Sequence, residues 1–199
     1  MTLKDRKVLA VAVPLQIWAM KGKPWGIALD THNNLYVSDH IHASALKLSP
    51  SGKLLRTWYW VSAGVNHLYD PTGVAVGPRG NLYVADHGQD RIVKFAPDGK
   101  TIAVFDAAHG VDLSGPTSLA MGPDGNLYVA DTDNNRVQKL SPKGKVLAIW
   151  GQKNLSRSQF YAPNGVAVDG AGNIYVADTY NSRIVKLAAS GRILATWGS

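Results

Sequence analysis

Short runs of alternating apolar and polar residues recur along this chain, and one 16-residue pattern occurs four times. Each copy has a Pro, an apolar run, a turn-type cluster, a Leu-Tyr-Val or Ile-Tyr-Val run and an Asp, and the copies span 24–39, 71–86, 116–131 and 163–178. Their starts lie 47, 45 and 47 residues apart. This period indicates a repeat array. The shared residues are expected to build the scaffold, and function is expected where the copies differ.

Each repeat contains four β-type runs bounded by clusters of Gly, Pro, Asn and Asp. In the second copy the runs are 73–76, 81–85, 91–95 and 101–105. The links Pro78-Arg79-Gly80-Asn81 and Pro97-Asp98-Gly99-Lys100 have turn chemistry, because Pro sets φ and Gly supplies a positive φ. No stretch has a sustained 3.6-residue apolar period, so helices are not expected. Four short antiparallel strands repeated radially predict an all-β fold, the β-propeller, with strands a to d from the axis outward.

The pattern predicts a single domain over 1–199, with four-stranded antiparallel blades at approximately 24–58, 71–105, 116–150 and 163–198. The stretch 7–13 predicts one extra N-terminal outer strand, because Lys7-Val8-Leu9-Ala10-Val11 matches Lys145-Val146-Leu147-Ala148-Ile149. This strand is either surplus in a four-bladed ring or awaits blades from another chain or a longer product. An open arc would leave blade faces uncovered. We therefore expect self-association or ring completion by another chain.

Composition narrows the classes of function. The chain of 199 residues is 45% hydrophobic and 18% charged, which is typical of a globular domain. It has no cysteine, which excludes disulfides and thiolate metal sites. The net charge of +7 favours acidic partners, with nucleic acid one of several. The apolar run 8–15 is too short to span a bilayer and is not a convincing targeting segment, so a cytoplasmic location is the default expectation.

Three motifs together resemble NHL repeats: Pro-x-Gly-Val-Ala-Val, Gly-Asn-Leu-Tyr-Val-Ala-Asp, and Asn-x-Arg-Ile-Val-Lys-Leu followed by a closing Trp-Gly. The resemblance extends from Lys7 to Gly198 and implies a propeller fold. It implies less about activity, because NHL-type proteins include RNA-binding regulators, receptor sensor domains and peptidylamidoglycolate lyases, and related propellers include lactonases and antibiotic-inactivating lyases. The first copy departs from the pattern with Ser44 at the strand-c Arg position, and the third has Ser118 at the first Gly.

The charged residues that recur are expected to belong to the scaffold. An Asp ends each b strand, and an Arg begins the c strand five residues later in three copies, so turn capping plus an ion pair is favoured over a ring of acids that binds a cation. Recurring basic residues spread over the blades instead of forming one patch. The residues of these sets are Asp39, Asp86, Asp131, Asp178, Arg91, Arg136 and Arg183, then Lys47, Lys94, Lys139, Lys186, Lys53, Lys100, Lys145 and Arg192.

Histidine is distributed unevenly. His40 and His87 occupy the same repeat position, where the later copies have Thr132 and Thr179, and His67 and His109 lie in d–a loops. Since b–c and d–a loops emerge on one face of a propeller, these imidazoles could converge on Zn²⁺ or a similar divalent metal. The resemblance implies the same possibility, because peptidylamidoglycolate lyases use His from several blades around a metal. No local spacing is a ligand signature, and surface histidine is the alternative.

The favoured interpretation is a non-catalytic binding or interaction scaffold that uses the face with the b–c and d–a loops. Its partner would be a protein, peptide or glycan, because aromatic side chains make good anchors. The candidate partner-binding residues are Trp18, Trp60, Tyr69, Tyr161, Tyr180, Lys153 and Arg157. The alternatives are a metal-dependent lyase or hydrolase centred on His40, His87, His67 and His109, and RNA binding through basic d–a loops. No cofactor other than such a metal is expected, and no catalytic residue can be named.

Overall fold

The computed structural model describes residues 22–58, 68–151 and 160–198, which fold into four antiparallel sheets of four strands each. The predicted all-β propeller fold is confirmed. The strands are β1 (Pro24–Leu29), β2 (Leu35–Asp39), β3 (Ser44–Leu48), β4 (Leu54–Trp58), β5 (Pro71–Val76), β6 (Leu82–Asp86), β7 (Arg91–Phe95), β8 (Thr101–Phe105), β9 (Pro116–Met121), β10 (Leu127–Asp131), β11 (Arg136–Leu140), β12 (Val146–Trp150), β13 (Pro163–Val168), β14 (Ile174–Asp178), β15 (Arg183–Leu187) and β16 (Ile193–Gly198).

The only helical elements among the described residues are single 3₁₀ turns. They span His87–Gln89, Ala107–His109, Thr132–Asn134 and Thr179–Asn181. Three of them directly follow a b-strand Asp. The predicted extra strand over 7–13 lies outside the described residues. No helix in the described part of the chain has the length and apolar character needed to cross a membrane.

Each sheet is one blade, called blades 1 to 4 in chain order, and its strands pair in sequence order. The tight turns have the predicted chemistry: Gly80 and Gly125 close the a–b turns of blades 2 and 3 with φ of 72° and 73°. The face that carries the a–b and c–d turns (30–34, 49–53 and their equivalents) is called the turn face. The opposite face, with the b–c turns (40–43 and equivalents) and d–a loops, is called the loop face.

Blades pack through apolar residues on both sides of each sheet. Between blades 1 and 2, Trp58 and Tyr36 of blade 1 pack with Val74, Leu82 and Phe95 of blade 2 in one buried cluster. Equivalent clusters lie between blades 2 and 3 and between blades 3 and 4. Blade n therefore supplies an aromatic pair, and blade n+1 supplies the aliphatic surface that covers it.

The inner strands approach closely around the axis. A Cβ at Gly73 on β5 would lie 2.8 Å from both Ser118 Cα and Thr117 O on β9, which explains why glycine is used there. The exception in the third repeat, Ser118, accepts a hydrogen bond from the Val166 amide of blade 4 at 3.2 Å. The departure from the motif therefore adds a polar link between two blades.

The four blades form an open arc. Successive inner strands β1, β5, β9 and β13 pack against one another, and no comparable packing joins β1 to β13. The outer aromatics Trp58, Phe105 and Trp150 are at most 7% exposed, but their equivalent Trp197 is 50% exposed. At the other end, Ile27 on β1 is 70% exposed, whereas its equivalents in the other blades are buried. Both end faces of the described arc are thus apolar and uncovered.

Candidate functional site

The b-strand aspartates of blades 2 to 4 form the base of the loop face. Each is fully buried and pairs with the strand-c Arg, at 3.0, 2.6 and 2.7 Å from Nε to Oδ2 in Asp86–Arg91, Asp131–Arg136 and Asp178–Arg183. The other carboxylate oxygen accepts amide hydrogen bonds from the d–a loop, such as Tyr69 N to Asp86 at 2.8 Å and Tyr161 N to Asp178 at 2.7 Å. These acids therefore fix the loops that carry the exposed aromatics.

In blade 1 the buried b-strand aspartate has a different partner. Ser44 replaces the Arg, and the buried Asp39 instead binds the His42 ring, with Nδ1 to Oδ2 at 2.7 Å. The amides of Lys23 and His42 also donate to Asp39 Oδ1, at 3.0 and 3.4 Å. Burial alone would raise the pKa of Asp39, but these hydrogen bonds and the charge of His42 outweigh it and lower the pKa. His42 is thus a substitute for the missing Arg.

Two of the predicted histidines meet at one carboxylate. His40 Nδ1, on the b–c turn of blade 1, hydrogen-bonds Asp70 Oδ1 on the loop that enters blade 2. His87 Nδ1 of blade 2 lies 3.5 Å from the other oxygen, Oδ2. All three side chains are partly exposed. The contact joins a b–c turn to a d–a loop, as expected for elements that share one face.

The cluster continues toward blade 3. A Cβ at Gly115, whose φ is +54°, would lie 3.1 Å from His87 Nε2 and 2.4 Å from Asp133 Oδ2. Gly115 therefore leaves open the space between an imidazole and an exposed carboxylate. His40, Asp70, His87 and Asp133 together are called the His–Asp cluster. The repeat pattern does not predict Asp70 or Asp133 as site residues. The signal that could have found them is that the residue at each of these two positions differs among the four repeats.

The remaining predicted metal ligands do not join this cluster within the described residues. His109 pairs with Asp106, Nδ1 to Oδ1 at 2.6 Å, at the start of its own 3₁₀ turn. His67 lies outside the described residues. No group of three or more His, Asp or Glu side chains in the described ranges is arranged to hold a metal ion.

Exposed aromatic side chains lie on the same face as the cluster. Tyr69, Tyr161 and Tyr180 are 67%, 54% and 69% exposed. Tyr161 and Tyr180 of blade 4 pack with ring centroids 5.1 Å apart. Trp25, which the sequence did not single out, is 63% exposed and its ring centroid lies 5.9 Å from that of His40. The predicted residues Trp18, Trp60, Lys153 and Arg157 lie outside the described residues.

The family model described as the NHL repeat matches residues 68–95, 113–140 and 160–187, which lie in blades 2, 3 and 4 with the loops that enter them. Three NHL repeats therefore lie in this β-propeller chain, one in each of blades 2, 3 and 4. No curated protein sequence matches it.

Solved propeller structures share the fold at low identity. A catalytically inactive His-to-Ala variant of virginiamycin B lyase from Staphylococcus aureus, with quinupristin, superposes with a TM-score of 0.70 and 15% identity over 92% of this chain and 58% of the lyase. A streptogramin B lyase gives 0.70 and 18% over 89% and 55%. Kuenenia stuttgartiensis hydrazine synthase gives 0.69 and 18% over 94% and 52%. The chain thus spans between half and three fifths of these three proteins, and the likeness concerns the fold.

The His42–Asp39 pair yields a stability prediction. His42→Ala should lower the free energy of unfolding at pH 7 by roughly 1–2 kcal/mol, because the buried carboxylate loses its side-chain partner. Since the folded-state pKa of Asp39 is lowered from 3.8, its contribution is present above that value and is lost as pH falls through the folded pKa. Thermal unfolding at pH 7 and pH 3 measures both effects.

The sequence of the other blades suggests a second substitution that should restore the stability lost in His42→Ala. Adding Ser44→Arg to His42→Ala recreates the Asp–Arg pair of the other blades and should restore most of the stability at pH 7. A His42→Ala protein that unfolds like the wild type, or a double variant without recovery, would contradict the substitution of His42 for Arg.

Proposed function

We propose that this chain is a binding module whose loop face receives a protein, peptide or glycan. The observation that carries the proposal is the exposure of Tyr69, Tyr161 and Tyr180 at positions where the repeats differ. Isolated exposed aromatics are common, but these three lie on the face that also carries the His–Asp cluster, so this face offers both apolar anchors and hydrogen-bonding groups. Interfaces that bind tightly typically have this combination.

The loops that present the aromatics are held in place before a ligand arrives. Tyr69 and Tyr161 donate their backbone amides to buried aspartates, and Tyr180 donates its amide to the Tyr161 carbonyl at 3.2 Å. A fixed backbone lowers the entropy that binding must overcome. This supports recognition by a preformed surface.

The test is selection of ligands from a peptide display library and a glycan array with the wild-type protein. The Tyr161→Ala/Tyr180→Ala variant should bind selected ligands at least about tenfold more weakly, whereas Tyr161→Phe/Tyr180→Phe should keep most of the affinity, since the rings supply the contact area. Leu147→Ala, an exposed apolar residue on the outer strand β12, is the control. Ligands that bind the Ala variant as tightly as the wild type would contradict the site.

A second candidate function, a metal-dependent lyase or hydrolase, is favoured by one observation: His40 and His87 converge on Asp70. A carboxylate flanked by two imidazoles has the donor atoms that Zn²⁺ binds, at about 2.0–2.1 Å for each nitrogen. In the present arrangement each Nδ1 faces a carboxylate oxygen, so a metal would have to replace these contacts.

Calorimetric titration with ZnCl₂ tests this candidate. Stoichiometric binding that is abolished in both His40→Ala and His87→Ala, and retained in His109→Ala, would support a metal centre at Asp70. The His109 variant is the control because that ring pairs only with its neighbour Asp106 in the described part of the chain. Zinc binding that is absent or unaffected by the two central variants would remove the metal-dependent reading.

We further propose that a second copy of this chain covers the ends of the arc. The end face of blade 4 is aromatic and exposes Trp197, and the end face of blade 1 is aliphatic and exposes Ile27 and Leu29. At every interface inside the arc, an aromatic face of this kind packs against an aliphatic one. Two copies related by a two-fold axis would form two such interfaces and a ring of eight blades, within the known range for propellers.

Light scattering on the purified protein should therefore give the mass of a dimer. Trp197→Lys should shift the protein to monomer, because an unpaired charge would be buried at the new interface. Ile102→Lys, which places the same charge on the exposed outer strand of blade 2, should leave the dimer intact. A wild-type monomer at high protein concentration would contradict this assembly.

A further inference from the structure

The turn face has a repeated network in which a Lys lies over a Tyr. Lys47, Lys94, Lys139 and Lys186 are 5.0, 5.1, 5.4 and 5.0 Å from the ring centroids of Tyr36, Tyr83, Tyr128 and Tyr175. In three blades the ammonium group also has a carboxylate from the a–b turn. These pairs are Lys47–Asp30 at 3.2 Å, Lys139–Asp124 at 2.7 Å and Lys186–Asp169 at 4.0 Å.

Blade 2 is the exception. The ten residues from Gly77 to Asp86 differ from the ten from Gly122 to Asp131 at a single position, where Arg79 replaces Asp124. Lys94 therefore has no carboxylate partner among the described residues, and a second cation stands where blade 3 has its acid. Lys94 instead donates to the Pro142 carbonyl of blade 3 at 2.7 Å.

The pKa values of Lys94 and Lys139 are shifted in opposite directions. Burial and the charge of Arg79 lower the pKa of Lys94. By contrast, the hydrogen bond that Lys139 donates to Asp124 raises the pKa of Lys139. The positive charge of Arg79 thus disfavours the charged form of Lys94, and a bound anion would favour it.

The uncompensated charges line a cavity. It has a volume of about 520 Å³, lies between blades 2 and 3, and is lined by Arg79, Asn81, Tyr83, Lys94, Asp124 and Lys143 among others. Its one acid, Asp124, is already paired with Lys139. Arg79 has no hydrogen-bond or ion-pair partner among the described residues, so its guanidinium is available for bidentate contact with an oxyanion.

We propose that this cavity binds a small multivalent oxyanion, a molecule with phosphate or carboxylate groups, through Arg79, Lys94 and Lys143. Asn81 adds an amide that can donate to the same ligand. The site lies on the turn face, opposite the loop face, and is thus independent of the ligand proposed for the aromatics.

The experiment is calorimetric titration of the full chain with sodium pyrophosphate, inorganic phosphate and citrate in low-salt buffer, where exposed charges are least screened. We expect saturable, salt-sensitive binding of at least one probe. Preference for pyrophosphate would identify a phosphate ligand, and preference for citrate a carboxylate ligand, so each result supports the site and names its chemistry.

The decisive variant is Arg79→Asp, which gives blade 2 the turn sequence of blade 3. It should fold, since the same ten residues already fold in the neighbouring blade, and it should place an acid beside Lys94. Affinity should fall at least about tenfold, which corresponds to about 1.4 kcal/mol. Lys94→Met should weaken binding as well, whereas Lys186→Met, at the same repeat position in blade 4, should leave it unchanged.

Circular dichroism and thermal unfolding check that each variant is folded. The proposal is overturned if no probe binds saturably at concentrations up to about 10 mM, a range that covers weak sites. It is also overturned if a folded Arg79→Asp protein binds the probes as tightly as the wild type, or if Lys186→Met weakens binding as much as Lys94→Met.

Discussion

Every blade of this protein has two apolar faces, and the packing of one blade against the next is the constraint on which the structure depends. The paired Tyr and Trp or Phe of one sheet need the aliphatic face of the following sheet, and glycine on the inner strands allows the backbones to approach closely. A sheet that is apolar on both sides cannot be stable in water by itself. Because the core lies between the blades, the turn face and the loop face can vary in sequence without loss of the core.

Sequence variation on the turn face and the loop face takes two forms. In one, a lost scaffold residue is replaced by a local substitute, as when His42 binds Asp39 in place of the Arg that blade 1 lacks. In the other, a changed residue has no compensation, as at Arg79, where the acid of the sister turn is missing and the neighbouring Lys94 keeps its positive charge unpaired by any carboxylate of the described chain. The first kind preserves the fold. The second kind leaves charged groups at the surface that a ligand can pair with. The surface is where ligand recognition is expected in a repeat protein.

The strands, turns and blade order could be predicted from sequence, because a repeat multiplies weak local signals such as Leu-Tyr-Val-Ala-Asp. The shared face of His40 and His87 also followed from topology. Their meeting at Asp70 did not, because that contact crosses from one blade to the next and Asp70 lies just outside the repeated motif. The shared face also predicts His109 in this group, but His109 pairs with Asp106, which lies only three residues away in sequence. The importance of Arg79 was hidden because its segment has ordinary turn chemistry.

The open arc also implies a gradient of local stability along the chain. Blades 2 and 3 are covered on both sides, so opening either of them must break two interfaces, whereas blade 4 is held by one in the described arc. Amide hydrogens in β14 and β15 should therefore exchange with solvent sooner than those in β6 and β10. The Tyr161–Tyr180 pair lies on a terminal blade, which opens more easily than the two inner blades, and the cavity at Arg79 lies between those inner blades. A partner that covers the end face of blade 4 would therefore change the affinity of a ligand bound at the tyrosines. It would have little effect on the affinity of a ligand in the cavity.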